Sequence, residues 1–163
     1  MQEAHENRVE LPEDDECAML VMIMHLYGYD DSEWREAIFK RCMPLEALIA
    51  SYCVAVKYDL PALATISRYN FDWNLQGCFS DAVAFKPAAA YIVLKTGISL
   101  HQDCDEEHPL VDIYLDHISA HWADLLSRRK ELLQELFAEC PRFATKLLLD
   151  DRYQLNRCGC GSD

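Results

Sequence analysis

The chain has 163 residues, and its 15 Lys and Arg stand against 28 Asp and Glu, a formal charge of −13. Such a surface repels phosphate, because nucleic-acid affinity comes from cations that release counterions, and an anionic membrane is equally unattractive. With 51 % hydrophobic residues there is ample material for one core, and the length suits one domain or one with a small appendage.

Residues 1–6 are polar. Asn7-Arg8-Val9-Glu10-Leu11 alternates, with Val9 and Leu11 on one face, as a half-buried strand would. Pro12 stops it. Glu13, Asp14, Asp15 and Glu16 then gather where the positive end of a helix dipole favours acids. The helix they open is expected over Asp15–Tyr27, with Met19, Met22, Ile23 and Leu26 inward and Gly28 as a left-handed cap. Tyr29–Met43 reads as a connector with one helical turn around Trp34–Phe39.

From Leu45 the pattern sharpens. Leu45, Leu48, Ile49, Tyr52, Cys53 and Val56 form one apolar stripe on a helix over Leu45–Tyr58. Lys57-Tyr58-Asp59-Leu60 turns, and Pro61 opens a second helix to Phe71 that contains Leu63. The expected core is therefore Met19, Met22, Ile23, Leu26, Leu48, Tyr52, Val56, Leu60 and Leu63. Short helices are expected at Ser80–Phe85 and Ala88–Lys95, separated by Pro87 and ended by Gly97. The charged loop His101–Glu107 is the expected internal boundary. Pro109 then starts a helix with Leu110, Ile113, Tyr114, His117, Ile118, His121 and Leu125 on one face. Arg128–Glu139 and Pro141–Leu149 complete the series, before a flexible tail containing Cys158-Gly159-Cys160.

The fold class expected is mainly α, a helical bundle with at most one short strand. One strand cannot form a sheet, so its backbone groups need partners. The reading favoured here is that an amino-terminal half supplying the sheet is missing from this chain. Another protomer supplying it, or loose exposure of residues 7–11, are the alternatives.

The eight cysteines follow no apolar leader, since Met1–Glu16 is polar. Cys17, Cys53 and Cys78 sit among apolar residues, where a free thiol behaves as a small hydrophobe. A reducing intracellular compartment, cytoplasm or nucleus, is the expectation. The longest apolar run, Ala18–Met24, is too short to span a bilayer.

Three segments carry a family likeness: Asn7-Arg8-Val9-Glu10-Leu11-Pro12-Glu13-Asp14-Asp15, the helix end His25-Leu26-Tyr27-Gly28-Tyr29, and Ala55-Val56-Lys57-Tyr58-Asp59-Leu60 with Leu63. Together they resemble the second half of a BTB/POZ domain, most closely the BTB proteins of filamentous fungi. One departure is Asp31, which stands where the motif's closing tyrosine would be. The likeness covers residues 1–71 and extends through Phe79, Pro141-Arg142-Phe143-Ala144 and the terminal cysteines.

It implies a domain division of 1–71 as a partial BTB/POZ-like unit, 72–150 as a helical extension and 151–163 as tail. It also implies protein partners: a homodimer mate, or in some members a cullin scaffold served by a ubiquitin-ligase adaptor. The family's "His-Lys-x-x-Leu" segment and dimer-forming helix have no counterpart here. Met1-Gln2-Glu3 resembles the hydrophobic-x-acid motif with which some animal BTB adaptors contact the cullin. An apolar anchor at Met1 and an acid at Glu3 suit a pocket beside a base.

Chemistry has less support. His117 and His121 lie at i and i+4, the spacing of zinc ligands, but Ile118 stands where a protease motif needs glutamate. Cys158 and Cys160 offer two thiolates with one residue between, closer than paired zinc ligands usually sit. Against a zinc site or metal-dependent hydrolase, the plainer reading makes both histidines core-edge residues and the tail cysteines exposed thiols. No nucleophile elbow or phosphate-cradling glycine loop is present in the sequence. The expectation is an interaction module without enzyme activity or cofactor. A truncated, non-functional remnant is its structural rival.

Overall fold

Proline occupies the first position of four helices, where its missing N–H is no loss and its fixed φ suits the first turn. A computed structural model describes residues 14–39, 44–78 and 108–149 of the chain. Among the described residues there are eight helices and no strand, so the architecture is mainly α. They are α1 (Glu16–Leu26), α2 (Asp31–Phe39), α3 (Pro44–Lys57), α4 (Pro61–Cys78), α5 (Pro109–Ala120), α6 (Trp122–Arg128), α7 (Lys130–Glu139) and α8 (Pro141–Leu149). The strand expected at 7–11, the helices at 80–85 and 88–95, the charged loop at 101–107 and the terminal tail lie outside the described residues.

Local chemistry sets the helix ends. The Asp15 carboxylate accepts from the Ala18 amide at 3.1 Å and caps α1. Gly28, at φ 82°, ends α1 with bonds from Tyr29 N to Met24 O and from Gly28 N to His25 O, the Schellman pattern. α3 ends the same way, with Leu60 N bonded to Ala55 O and Asp59 N to Val56 O. There an aspartate, Asp59 at φ 53°, takes the left-handed position.

The connector after Gly28 holds more helix than expected. Asp30 accepts from the Ser32 and Glu33 amides, while Glu33 accepts from the Asp30 amide at 2.9 Å. That reciprocal capping box starts α2 at Asp31 rather than at Trp34. α4 also runs past the expected end at Phe71 and crosses residue 72 unbroken. No glycine or proline interrupts Asp72–Gln76.

α3 is the centre of the packing. It lies most extensively on α4, then on α1, while α5 joins α4 to the α6–α8 array. One apolar cluster extends from Val21 through Leu48, Leu63 and Phe71 to Tyr114, Leu136 and Leu147. Leu45, Leu48 and Ile49 serve this cluster, whereas Ala50 and Val54 meet Ala18 in a second one. Small residues at that second contact let two backbones approach closely.

This arrangement corrects three expected core positions. Ile23 is 46 % exposed and Leu26 62 %. Being apolar all round, α1 has no polar face to fix its rotation, and the small side chains of Ala18 and Val21 turn inward. Val56 is 58 % exposed because α3 is covered on two sides and Val56 lies on the third. Leu48 and Leu63 are fully buried, while Met19, Met22, Tyr52 and Leu60 are half-buried.

Two further expectations change. Cys17 is disulfide-bonded, whereas Cys53 and Cys140 are free thiols. A disulfide depends on two sulfurs meeting in space, which apolar neighbours in sequence do not reveal. His121 is exposed, not on the apolar face, because the helix from Pro109 breaks there and α6 restarts at Trp122.

Candidate functional site

α4 has two contrasting sides. Leu63, Ser67, Asn70, Phe71 and Leu75 are buried against the core. On the opposite side, Ala62, Thr65, Tyr69, Trp73 and Gln76 follow the helical repeat and are all exposed. Tyr69 is 65 % exposed and Trp73 61 %. Two large rings four residues apart on one exposed face form a paired aromatic surface.

Three concavities meet this face at Thr65. The first, about 360 Å3, runs along the α3–α4 bend between Tyr52, Val56, Leu60, Ala64 and Arg68. A second, about 520 Å3, lies between α4 and α5, with Arg68, Tyr69, Asp72, Ile113 and Asp116 on its walls. The third, about 590 Å3, is bounded by His25, Tyr29, Asp30, Trp34, Ile66 and Tyr69. Thr65 lines all three, Arg68 the first two, and Tyr69 the last two.

Polar links hold the walls in place. Nε2 of His117 lies 2.6 Å from Oδ1 of Asp72 and ties α5 to α4. Lys146 donates to Asp112 at 2.7 Å and ties α8 to α5. Lys57 and the Tyr58 hydroxyl both donate to Asp14, at 2.9 and 2.8 Å, joining the start of α1 to the end of α3. The bond from Tyr58 to Asp14 pushes the phenol pKa up, with the same carboxylate's charge acting in that direction. Burial raises the Tyr52 phenol, and the nearby Arg68 charge opposes it.

His108 deserves its place at the mouth of α5 on chemical grounds. Its Nδ1 accepts from the Leu110 amide at 3.3 Å, and its ring meets Tyr52 edge-on at 5.8 Å. Burial pushes its pKa below the usual histidine value, against the pull of Asp112 and with the help of Lys146. Protonation at Nδ1 would remove the acceptor that caps the helix. In the sequence His108 belongs to a charged loop, a solvated run or at most an ion site, and its place just before Pro109, where a cap is needed, is the signal for this capping role.

The other expected site residues are placed as follows. His117 turns its Nε2 to Asp72 while His121 stands exposed one turn later, and among the described residues no group of three metal-ligating side chains converges. Met1, Glu3, Cys158 and Cys160 lie outside the described residues. Tyr69, Trp73 and Arg68 were not singled out from the sequence. No described helix is long and apolar enough to cross a membrane. No protein-family model, curated protein or solved structure matches the chain.

Proposed function

We propose that this chain is a protein–protein interaction module, akin to the second half of a BTB/POZ domain, which docks a partner on the outward face of α4. The observation that carries the reading is the exposed Tyr69–Trp73 pair on one face of α4, with Tyr69 also on the walls of two grooves. Exposed aromatic residues are the usual anchors of an interface, because each removes a large area from water at little entropic cost. The inner side of the same helix is packed on Leu63, Phe71 and Leu75, so the outer rings are held on a rigid support. A cullin-scaffold partner would use Met1 and Glu3 in addition. The free thiols of Cys53 and Cys140 suit an intracellular setting, and the Cys17 disulfide counts against it.

The test is co-purification from native cells of partners held by the chain and by a Tyr69→Ala/Trp73→Ala variant, with circular dichroism confirming an unchanged fold. Loss of partners in the folded variant supports the reading, and undiminished recovery overturns it. A parallel Met1–Glu3 alteration that removes only a cullin would add the adaptor role. One observation favours the rival of an unstable remnant: Leu26, Tyr27 and Leu149 are also exposed. Light scattering on the purified chain separates the two, since aggregates rather than a discrete species indicate the remnant.

A further inference from the structure

Every amide in the first turn of α5 ends on His108. Pro109 has no N–H to offer, and the Val111 and Asp112 amides bond to the His108 carbonyl at 2.9 and 3.1 Å. The Leu110 amide bonds to Nδ1 of the ring at 3.3 Å. The same ring meets Tyr52 of α3 edge-on at 5.8 Å, so one imidazole both caps α5 and holds it against α3. Among the described residues, the charged and titratable groups around it are Tyr52, Arg68 of α4 beside that phenol, Asp112 on α5 itself and Lys146 of α8. Lys146 already holds Asp112 at 2.7 Å. A proton on Nδ1 turns the acceptor into a donor set against the Leu110 N–H. It also places a cation at the positive end of α5, near the Lys146 ammonium.

α5 is pinned unevenly. Farther along, His117 is bound to Asp72 of α4 at 2.6 Å, a contact that a proton on His117 strengthens, and Tyr114, Leu115 and Ile118 are fully buried. The start of the helix puts Pro109, Asp112 and Ile113 on the wall of the α4–α5 groove, whose other wall carries Arg68 and Tyr69. We infer that His108 is a proton-operated latch: protonated at Nδ1, it releases the first turn of α5 and widens this groove, while the rest of the helix stays in place. Leu110 and Val111 are buried in the closed form, so the released form is scarce at neutral pH. Burial lowers the pKa of the closed ring below 6.5, while a released ring in water returns to that value. Acid therefore favours release. Between about pH 7.5 and about pH 5 the released share rises several-fold, and by no more than about thirtyfold, the limit for about 1.5 pH units below 6.5. The latch belongs to the free chain and stands apart from the docking reading.

Hydrogen–deuterium exchange on the full chain at those two pH values, read amide by amide and corrected for the intrinsic rate, tests the latch. Protection of the Leu110, Val111 and Asp112 amides is expected to fall several-fold in acid, while Ala50 and Val54 of α3 keep theirs. His108→Asn supplies a cap that does not titrate and should abolish the acid response. His108→Ser, a second neutral cap, repeats the test if that variant does not fold. Unchanged protection in acid means that the charged ring stays in place by pairing with Asp112, and overturns the inference. A fall of the same size in α3 is global acid unfolding and overturns it too. So does a fall that survives in either cap variant, because another acid-sensitive group is then responsible.

Discussion

α3 and α4 are adjacent, packed on each other and both apolar in large part, yet they use their surfaces differently. α3 is enclosed by α1 and α4 and spends small residues, Ala47, Ala50, Ser51 and Ala55, on close contact. α4 buries one side and exposes rings on the other. A helix covered on two sides gives most of its surface to the fold. A helix covered on one side, and rigid because of it, has a face left over for a partner.

The comparison breaks first if the buried positions matter less than the exposed ones. Phe71→Ala, on the inner side of α4, should cost about 3–5 kcal/mol, and Leu48→Ala on α3 about 2–5 kcal/mol, as urea midpoints will show. A neutral Leu48→Ala would mean that the α3 core is misplaced. Next in size is Ala50→Leu, which overfills the close contact with Ala18 and should cost about 1–3 kcal/mol. The same change at a loosely packed helix contact would be tolerated.

His108 sharpens the comparison through pH, because it joins the Tyr52 ring of α3 to the start of α5. Its folded pKa lies below the ordinary 6.5. The unfolded chain therefore binds the extra proton first, so this contribution to stability is full above pH 6.5 and falls away as the pH drops below it. His108→Asn keeps a capping side chain that does not titrate. Its thermal midpoint should therefore fall less steeply with acid than that of the parent chain. Parallel curves would deny the cap any role.

At the small end, Val56→Ala should change stability by less than about 0.5 kcal/mol, since Val56 faces water. Asp59→Gly should add about 0.5 kcal/mol, because glycine takes the left-handed position at Asp59 without strain. A loss instead would show that the aspartate side chain holds the bend.

Much of this fold was legible in the residues. Pro61, Pro109 and Pro141 marked helix starts and Gly28 a left-handed stop, because each acts through its own backbone chemistry, while the start at Pro44 and the cap at Asp15 fell one residue from the expected helix ends. The capping box at Asp30 and Glu33 was equally readable and would have started α2 correctly. The rotation of α1 was not readable, since a helix apolar on every side has no preferred face until a neighbour selects one. For the same reason Ala18 and Val21 displaced Ile23 and Leu26 from the core. The candidate site was less legible still. Tyr69 and Trp73 look like core residues by composition, and only the burial of Phe71 and Leu75 beside them leaves those rings outside.

Hydroxyl-radical footprinting of Tyr69 and Trp73, in the free chain and in the recovered complex, tests the role of α4 most directly. Strong labelling of both rings when free, and protection when bound, is the predicted result. Rings that are labelled equally in both states, or already shielded in the free chain, would contradict it.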